Sequence, residues 1–90
     1  MDKHHLLLYE YVENMLERRA HHREAHLERI AAEMEAGGIV MAGALGDPPN
    51  GAAFVFRGAT PDQVEAFVAA DPYVQAGLVT GWRTEPWTLV

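Results

Sequence analysis

The spacing of apolar positions changes several times along this chain, and each change marks an element. His5 to Tyr11 holds a short apolar run, Leu6-Leu7-Leu8-Tyr9, ahead of a polar segment, which suits a buried strand. From Val12 to Ala36 the spacing turns helical, with Leu16, Ala20, Leu27, Ile30 and Met34 on one face. Gly37-Gly38 supplies the stop. Such a helix is long for a chain of this size, and the segment allows a break near Arg19–His21. Ile39 to Leu45 reads as a second strand and Ala52 to Arg57 as a third. They form a hairpin across Gly46-Asp47-Pro48-Pro49-Asn50-Gly51, which is dense in turn formers. Thr60-Pro61-Asp62-Gln63 has the cap, first-turn proline and returning glutamine of a helix start. That helix runs to about Ala70, with Val64, Phe67 and Val68 as its apolar face. Asp71-Pro72-Tyr73-Val74-Gln75-Ala76-Gly77 reads as a one-turn helix with its own cap and terminal glycine. Leu78 to Leu89 is the last strand, and Pro86 marks a bend or an edge position.

The order β-α-β-β-α-β is the ferredoxin-like, split βαβ pattern, an α+β fold with an antiparallel sheet in one domain over residues 1–90. Two helices cover only one face of a four-stranded sheet. The strands carry apolar residues on both parities, among them Leu6, Leu7, Leu8, Met41, Val55 and Trp82. That is too much for a water-exposed face, so a second subunit is expected to pack sheet to sheet as a homodimer.

Composition narrows the function. A chain of 90 residues buries little more than ~60% of its unfolded surface, and oligomerisation is the usual remedy for the resulting marginal stability. No cysteine is present, which excludes disulfides and thiolate metal sites. The net charge of −6 argues against nucleic acid as a partner. Arg18, Arg19, Arg23 and Arg29 are interleaved with glutamates, which makes a mixed-charge helix face rather than a basic patch. No apolar run approaches the ~20 residues of a membrane span, and no signal peptide is recognisable, so a cytoplasmic protein without a membrane partner is expected. The chain contains no serine, so nucleophilic catalysis by serine or cysteine is excluded. Acid–base chemistry or binding remains, and no cofactor is expected.

On the helical wheel of Val12–Ala36, Arg23 falls inside the apolar stripe. Arg19 and His26 lie at its edge on the same side, with His22 beyond them. A charge inside an apolar stripe demands a partner, either a protein carboxylate or a bound anion that the guanidinium would hold bidentately. His26 at the stripe edge has the place of a general base, or of a boundary histidine bonded to the backbone. His22 and His26 have the four-residue spacing of metal ligands, but the signal is weak, no HExxH is present, and Arg23 would repel a cation; no metal is expected. Asp71 is a helix cap by its context. Capping takes one carboxylate oxygen and leaves the other able to orient a histidine. Asp47 is a second carboxylate, with ordinary turn chemistry as its explanation.

These residues resemble a known family. Arg19-Ala20-His21-His22-Arg23-Glu24-Ala25-His26-Leu27 is similar to the Arg-x-x-x-Arg-x-x-His-Leu helix of the YciI-like (YCII-related) proteins. Ala42-Gly43-Ala44-Leu45 resembles the end of that family's second strand, and Asp71 to Leu78 resembles its Asp-Pro-Tyr/Phe-Val-x-Ala-Gly segment. The similarity runs from Leu6 to Trp87. It implies a dimeric α+β barrel and a His–Asp site in a cleft, matched by His26 and Asp71, with Arg19 and Arg23 as the matching arginines. Some members carry a serine in the hairpin region, where this chain has Asn50 or Gly51. One relative removes halide from an aromatic ring compound, and wider relatives include lactone isomerases.

The expectation is therefore a catalytic pair, His26 as general base and Asp71 as its orienting partner, with Arg19 and Arg23 binding substrate. The substrate would be a small anionic or phenolic metabolite undergoing isomerisation or elimination. The alternative is a non-catalytic, ligand-binding or accessory dimeric module.

Overall fold

The first strand is the axis of the molecule. In the computed structural model, which describes residues 3–90, β1 (His4–Tyr11) lies between β3 (Gly51–Arg57) and β4 (Val79–Trp87), antiparallel to both. β2 (Ile39–Leu45) adds to the far side of β3, so the sheet order is β2-β3-β1-β4. Four helical segments connect the strands: α1 (Met15–Arg18), α2 (Arg23–Glu35), α3 (Pro61–Ala69) and α4 (Pro72–Gln75). This is the ferredoxin-like α+β arrangement expected. Proline at β4 is tolerated because β4 is an edge strand.

Alternation along β1 decides what lies inside. His5, Leu7 and Tyr9 are buried under the helices, and their β3 partners Phe56, Phe54 and Ala52 share that face. Ile39 of β2 and Val64, Phe67 and Val68 of α3 complete one core. A second, smaller cluster of Met15, Tyr73 and Leu78 forms beside it. Local chemistry sets the α3 boundary: Thr60 and Gln63 make a reciprocal capping box, at 3.2 and 2.9 Å. Gly77, at φ 75°, follows α4 in the left-handed conformation that glycine adopts without steric cost.

The long helix is broken, and the break overturns the expected apolar stripe. α1 ends at Arg18, a turn closes with His22 N–H donating to the Arg19 carbonyl at 2.8 Å, and α2 starts afresh at Arg23. Leu16 and Leu27 are both exposed rather than in the core. Within α2 the inward side is rotated by about one residue from the apolar stripe. His26 is buried and Ile30 is half-buried, whereas Leu27 and Met34 are 44% and 46% exposed. Two polar anchors explain the rotation. His26 is bound to Asp71, and Arg29 donates to the Phe67 carbonyl at 3.0 Å while its guanidinium lies 4.5 Å from the Phe67 ring centre. The cation packed into the helix layer is thus Arg29. Arg23 is exposed at the first position of α2, and among the described residues it has no carboxylate partner.

The second sheet face has no helix over it. Leu6 pairs with Val55, which pairs with Met41, giving an apolar band across β1, β3 and β2. An Arg83–Glu85 ion pair, at 3.1 Å, lies on the adjoining β4 edge.

The rotated face predicts a contrast between two leucines. Leu7→Ala should destabilise the protein by about 2–5 kcal/mol, the ordinary cost of a core cavity. Leu27→Ala should change stability by less than about 0.5 kcal/mol. Urea unfolding at one fixed protein concentration measures both, and equal costs would restore the unbroken stripe.

Candidate active site

Three elements meet at one carboxylate. Asp71 caps α4 in extended conformation: its Oδ1 accepts from the Tyr73 backbone N–H at 3.0 Å. The same Oδ1 lies 2.8 Å from Nδ1 of His26, the fourth residue of α2. Oδ2 accepts the Tyr9 hydroxyl of β1 at 2.7 Å. Asp71 is fully buried, and His26, Tyr9 and Tyr73 are each no more than 5% exposed. Sequence reasoning gave the cap one oxygen and the histidine the other. In the structure one oxygen serves both, and the second belongs to Tyr9.

This arrangement assigns protons. An ionised carboxylate only accepts, so His26 carries its proton on Nδ1. Nε2 is then the free acceptor of the neutral ring, and among the described residues no hydrogen bond reaches it. The ring is held on two further sides. The Tyr73 ring stacks on it at 3.7 Å and 9°, and Phe54 presents an edge at 6.3 Å. A histidine fixed by a carboxylate, a ring face and a ring edge is oriented before any ligand arrives.

Electrostatics agree with this assignment. Burial alone would push the Asp71 carboxyl up. The hydrogen bonds from His26 and Tyr9, the attraction of His26 when it is protonated and the Tyr73 N–H together outweigh it and hold Asp71 below its ordinary range. Burial pushes the Tyr9 phenol well above its ordinary value, and the neighbouring Asp71 adds to this, so Tyr9 remains a donor. Tyr11 and Tyr73 are also raised by burial, with Arg19 and Arg23 both opposing. The two arginines, Arg19 half-buried at the end of α1 and Arg23 exposed, thus act on Tyr11 and on Tyr73, the ring stacked on His26.

The structure thus brings His26 and Asp71 together, and among the described residues neither Arg19 nor Arg23 bonds to them. His22 is the residue preceding α2, and among the described residues no three side chains form a metal-binding cluster. Asp47 lies exposed in the hairpin turn. Two surface cavities, of about 440 and 960 Å³, lie elsewhere, one between α2 and α3 and one beside the His4 end of β1. Tyr9 and Tyr73 were missed by sequence reasoning as site residues. The available signal for Tyr9 was its shared parity with Leu7, which points its hydroxyl into the helix layer. Gly51 admits no side chain, because a Cβ there would collide with the Tyr9 carbonyl.

The YCII-related domain family model matches residues 4–88. The chain belongs to the YCII-related family. Among solved structures it is similar to 5-chloro-2-hydroxyhydroquinone dehydrochlorinase from Burkholderia phenoliruptrix, determined with 2,5-dihydroxybenzoquinone, with TM-score 0.80 and 22% identity over 94% of this chain and 93% of that one. A candidate antibiotic biosynthesis monooxygenase from Bacteroides thetaiotaomicron follows at TM-score 0.62 and 16% identity, covering 99% and 90% of the two chains. Protein Atu4242 from Agrobacterium tumefaciens has TM-score 0.59 and 11% identity, covering 100% and 94%. A search of the curated proteins gives no match. These likenesses establish the ferredoxin-like fold of this YCII-related chain.

The depressed Asp71 pKa fixes the sign of a pH effect. Its stabilisation is present in full above the unfolded value of 3.8 and is lost as pH falls through the lower folded value. Asp71→Asn should cost about 1.5–3 kcal/mol at neutral pH, since the buried donors of His26 and Tyr9 lose a charged acceptor. It should also flatten the acid dependence of stability below that value, as read by unfolding at a series of pH values.

Proposed function

We propose that this YCII-related protein is a dimeric proton-transfer enzyme acting on a small anionic or phenolic metabolite, with His26 as general base. The observation that carries it is the His26–Asp71 pair, with Nδ1 committed at 2.8 Å and Nε2 left as an acceptor. Asp71 holds the tautomer and stabilises the imidazolium that forms when Nε2 takes a proton. Arg19 and Arg23, whose charges act on the Tyr73 phenol stacked against His26, favour an anionic form of the ligand.

The reaction class follows from this equipment. Nε2 takes a proton from a ring hydroxyl, and the imidazolium returns it to a ring carbon, which is an isomerisation. Where that carbon bears a halogen, the electrons of a second ionising hydroxyl expel halide, and the net change is loss of HCl. The step balances without an oxidant. The dehydrochlorinase of similar fold supports a phenolic ring as the first substrate class to test.

The apolar band through Leu6, Val55 and Met41 is the surface through which two sheets pack. Its burial supplies the stability that a chain this short lacks alone.

Three outcomes are expected. Given 5-chloro-2-hydroxyhydroquinone or a dechlorinated trihydroxybenzene, His26→Gln should lower turnover by about 10²–10⁴-fold while the protein remains a folded dimer. Unchanged turnover in that variant would refute the base. Arg23→Ala should raise KM more than it lowers kcat, the signature of lost substrate binding. In sedimentation the wild-type chain should run as a dimer and Leu8→Glu, on the same open face, as a folded monomer; a monomeric wild type would overturn the assembly.

A further inference from the structure

Tyr9 has a hydroxyl that its packing does not require. It sits on the central strand, 2% exposed, with the Phe54 ring edge-on at 4.8 Å and Tyr11 at 6.3 Å. Phenylalanine would fill that site equally well. Its hydroxyl donates to Asp71 Oδ2 at 2.7 Å. The helix cap does not need this bond, because Oδ1 alone accepts the Tyr73 N–H.

We propose that Tyr9 is a positioning residue for His26, acting through the Asp71 carboxylate. The proposal rests on reading His26 as the proton acceptor and adds the group that keeps it in that role.

Two physical effects make up that action. The first is geometric. A carboxylate held only through Oδ1 can turn about its Cβ–Cγ bond and carry its lone pairs away from His26. A second hold on Oδ2, from a different element, stops that rotation. That hold comes from β1, which is paired on both sides, Tyr9 lying opposite Ala52 and Trp82. The orientation of His26 on a helix is thereby referred to the centre of the sheet.

The second effect is electrostatic. When Nε2 takes a proton, the imidazolium Nδ1–H and the carboxylate compete for the proton between them. A hydroxyl donor on Oδ2 spreads the carboxylate charge and keeps Asp71 the weaker base. The proton then remains on Nδ1, and the ring can hand its Nε2 proton on to the substrate. Without the donor, Oδ2 is a buried charged oxygen with no partner, and protonation of Asp71 becomes the relief.

The test is Tyr9→Phe, read on Asp71 itself by the pH titration of its carboxyl ¹³C resonance. Loss of one neutral hydrogen bond should raise the proton affinity of Asp71 about tenfold, a shift of about one pH unit. Tyr73→Phe serves as control: it removes a hydroxyl that makes no bond to Asp71 and should leave the titration in place. If Tyr9→Phe does not fold, the wild-type chain answers by deuterium isotope shifts at the Asp71 carboxyl carbon. The expected pattern has one contribution from a Tyr9 O–H, beside those from the His26 N–H and the Tyr73 backbone N–H. An Asp71 titration unmoved in Tyr9→Phe, or an isotope pattern without the tyrosine contribution, overturns the proposal. Because these readouts need no substrate, a moved titration in a chain that turns over no phenol would refute the enzyme and retain Tyr9. Turnover with an unmoved titration would do the reverse.

Discussion

One buried carboxylate, Asp71, binds a helix cap, a histidine ring and a strand tyrosine at once, through contacts of 3.0, 2.8 and 2.7 Å. A charge so deeply removed from water is costly unless its lone pairs are met, and three donors meet them. The donors come from α4, α2 and β1, so the same carboxylate fixes how these elements sit together. α2 must turn His26 inward, which carries Leu27 and Met34 to the outside. The catalytic hypothesis and the helix orientation are therefore two consequences of one interaction.

The consequence for chemistry is a division of labour at a single ring. Nδ1 is engaged and protonated, and among the described residues Nε2 accepts no hydrogen bond. Tyr73 contributes twice, its backbone N–H to the carboxylate and its ring to the imidazole face. Arg19 and Arg23 stand further out, close enough to act on the phenols of Tyr11 and Tyr73 yet without contact to the pair. That is where charges suited to drawing in an anionic ligand would be useful, since a direct bond to Asp71 would compete with His26.

Much of this was legible in the sequence, and the failures have physical causes. Element order, the turn-rich hairpin and the two proline-started helices were readable because capping and turn chemistry are local. Thr60, Gln63 and Asp71 do in the structure what their spacing demands. The α2 face was misread because hydrophobic periodicity assumes one continuous helix packed by its apolar stripe. The turn after Arg18 and the polar anchors at His26 and Arg29 override that assumption. The error also assigned to Arg23 the inward place that half-buried Arg29 holds. The helical wheel pointed to His26, the cap context to Asp71 and the resemblance to their pairing, but their contact depends on a separation of 45 residues that no local pattern encodes. Tyr9 was hidden for a simpler reason: in an apolar run a tyrosine counts as a hydrophobic residue, and its hydroxyl acquires meaning only when a partner arrives from elsewhere.

The chemistry of the site depends on the tautomer of His26. Ring ¹⁵N NMR of the wild-type protein, at a pH where the imidazole is neutral, reads it directly. The predicted spectrum shows a protonated Nδ1 and a bare Nε2. A ring carrying its proton on Nε2, with Nδ1 bare, would contradict both the contact with an ionised Asp71 and the role of His26 as a base.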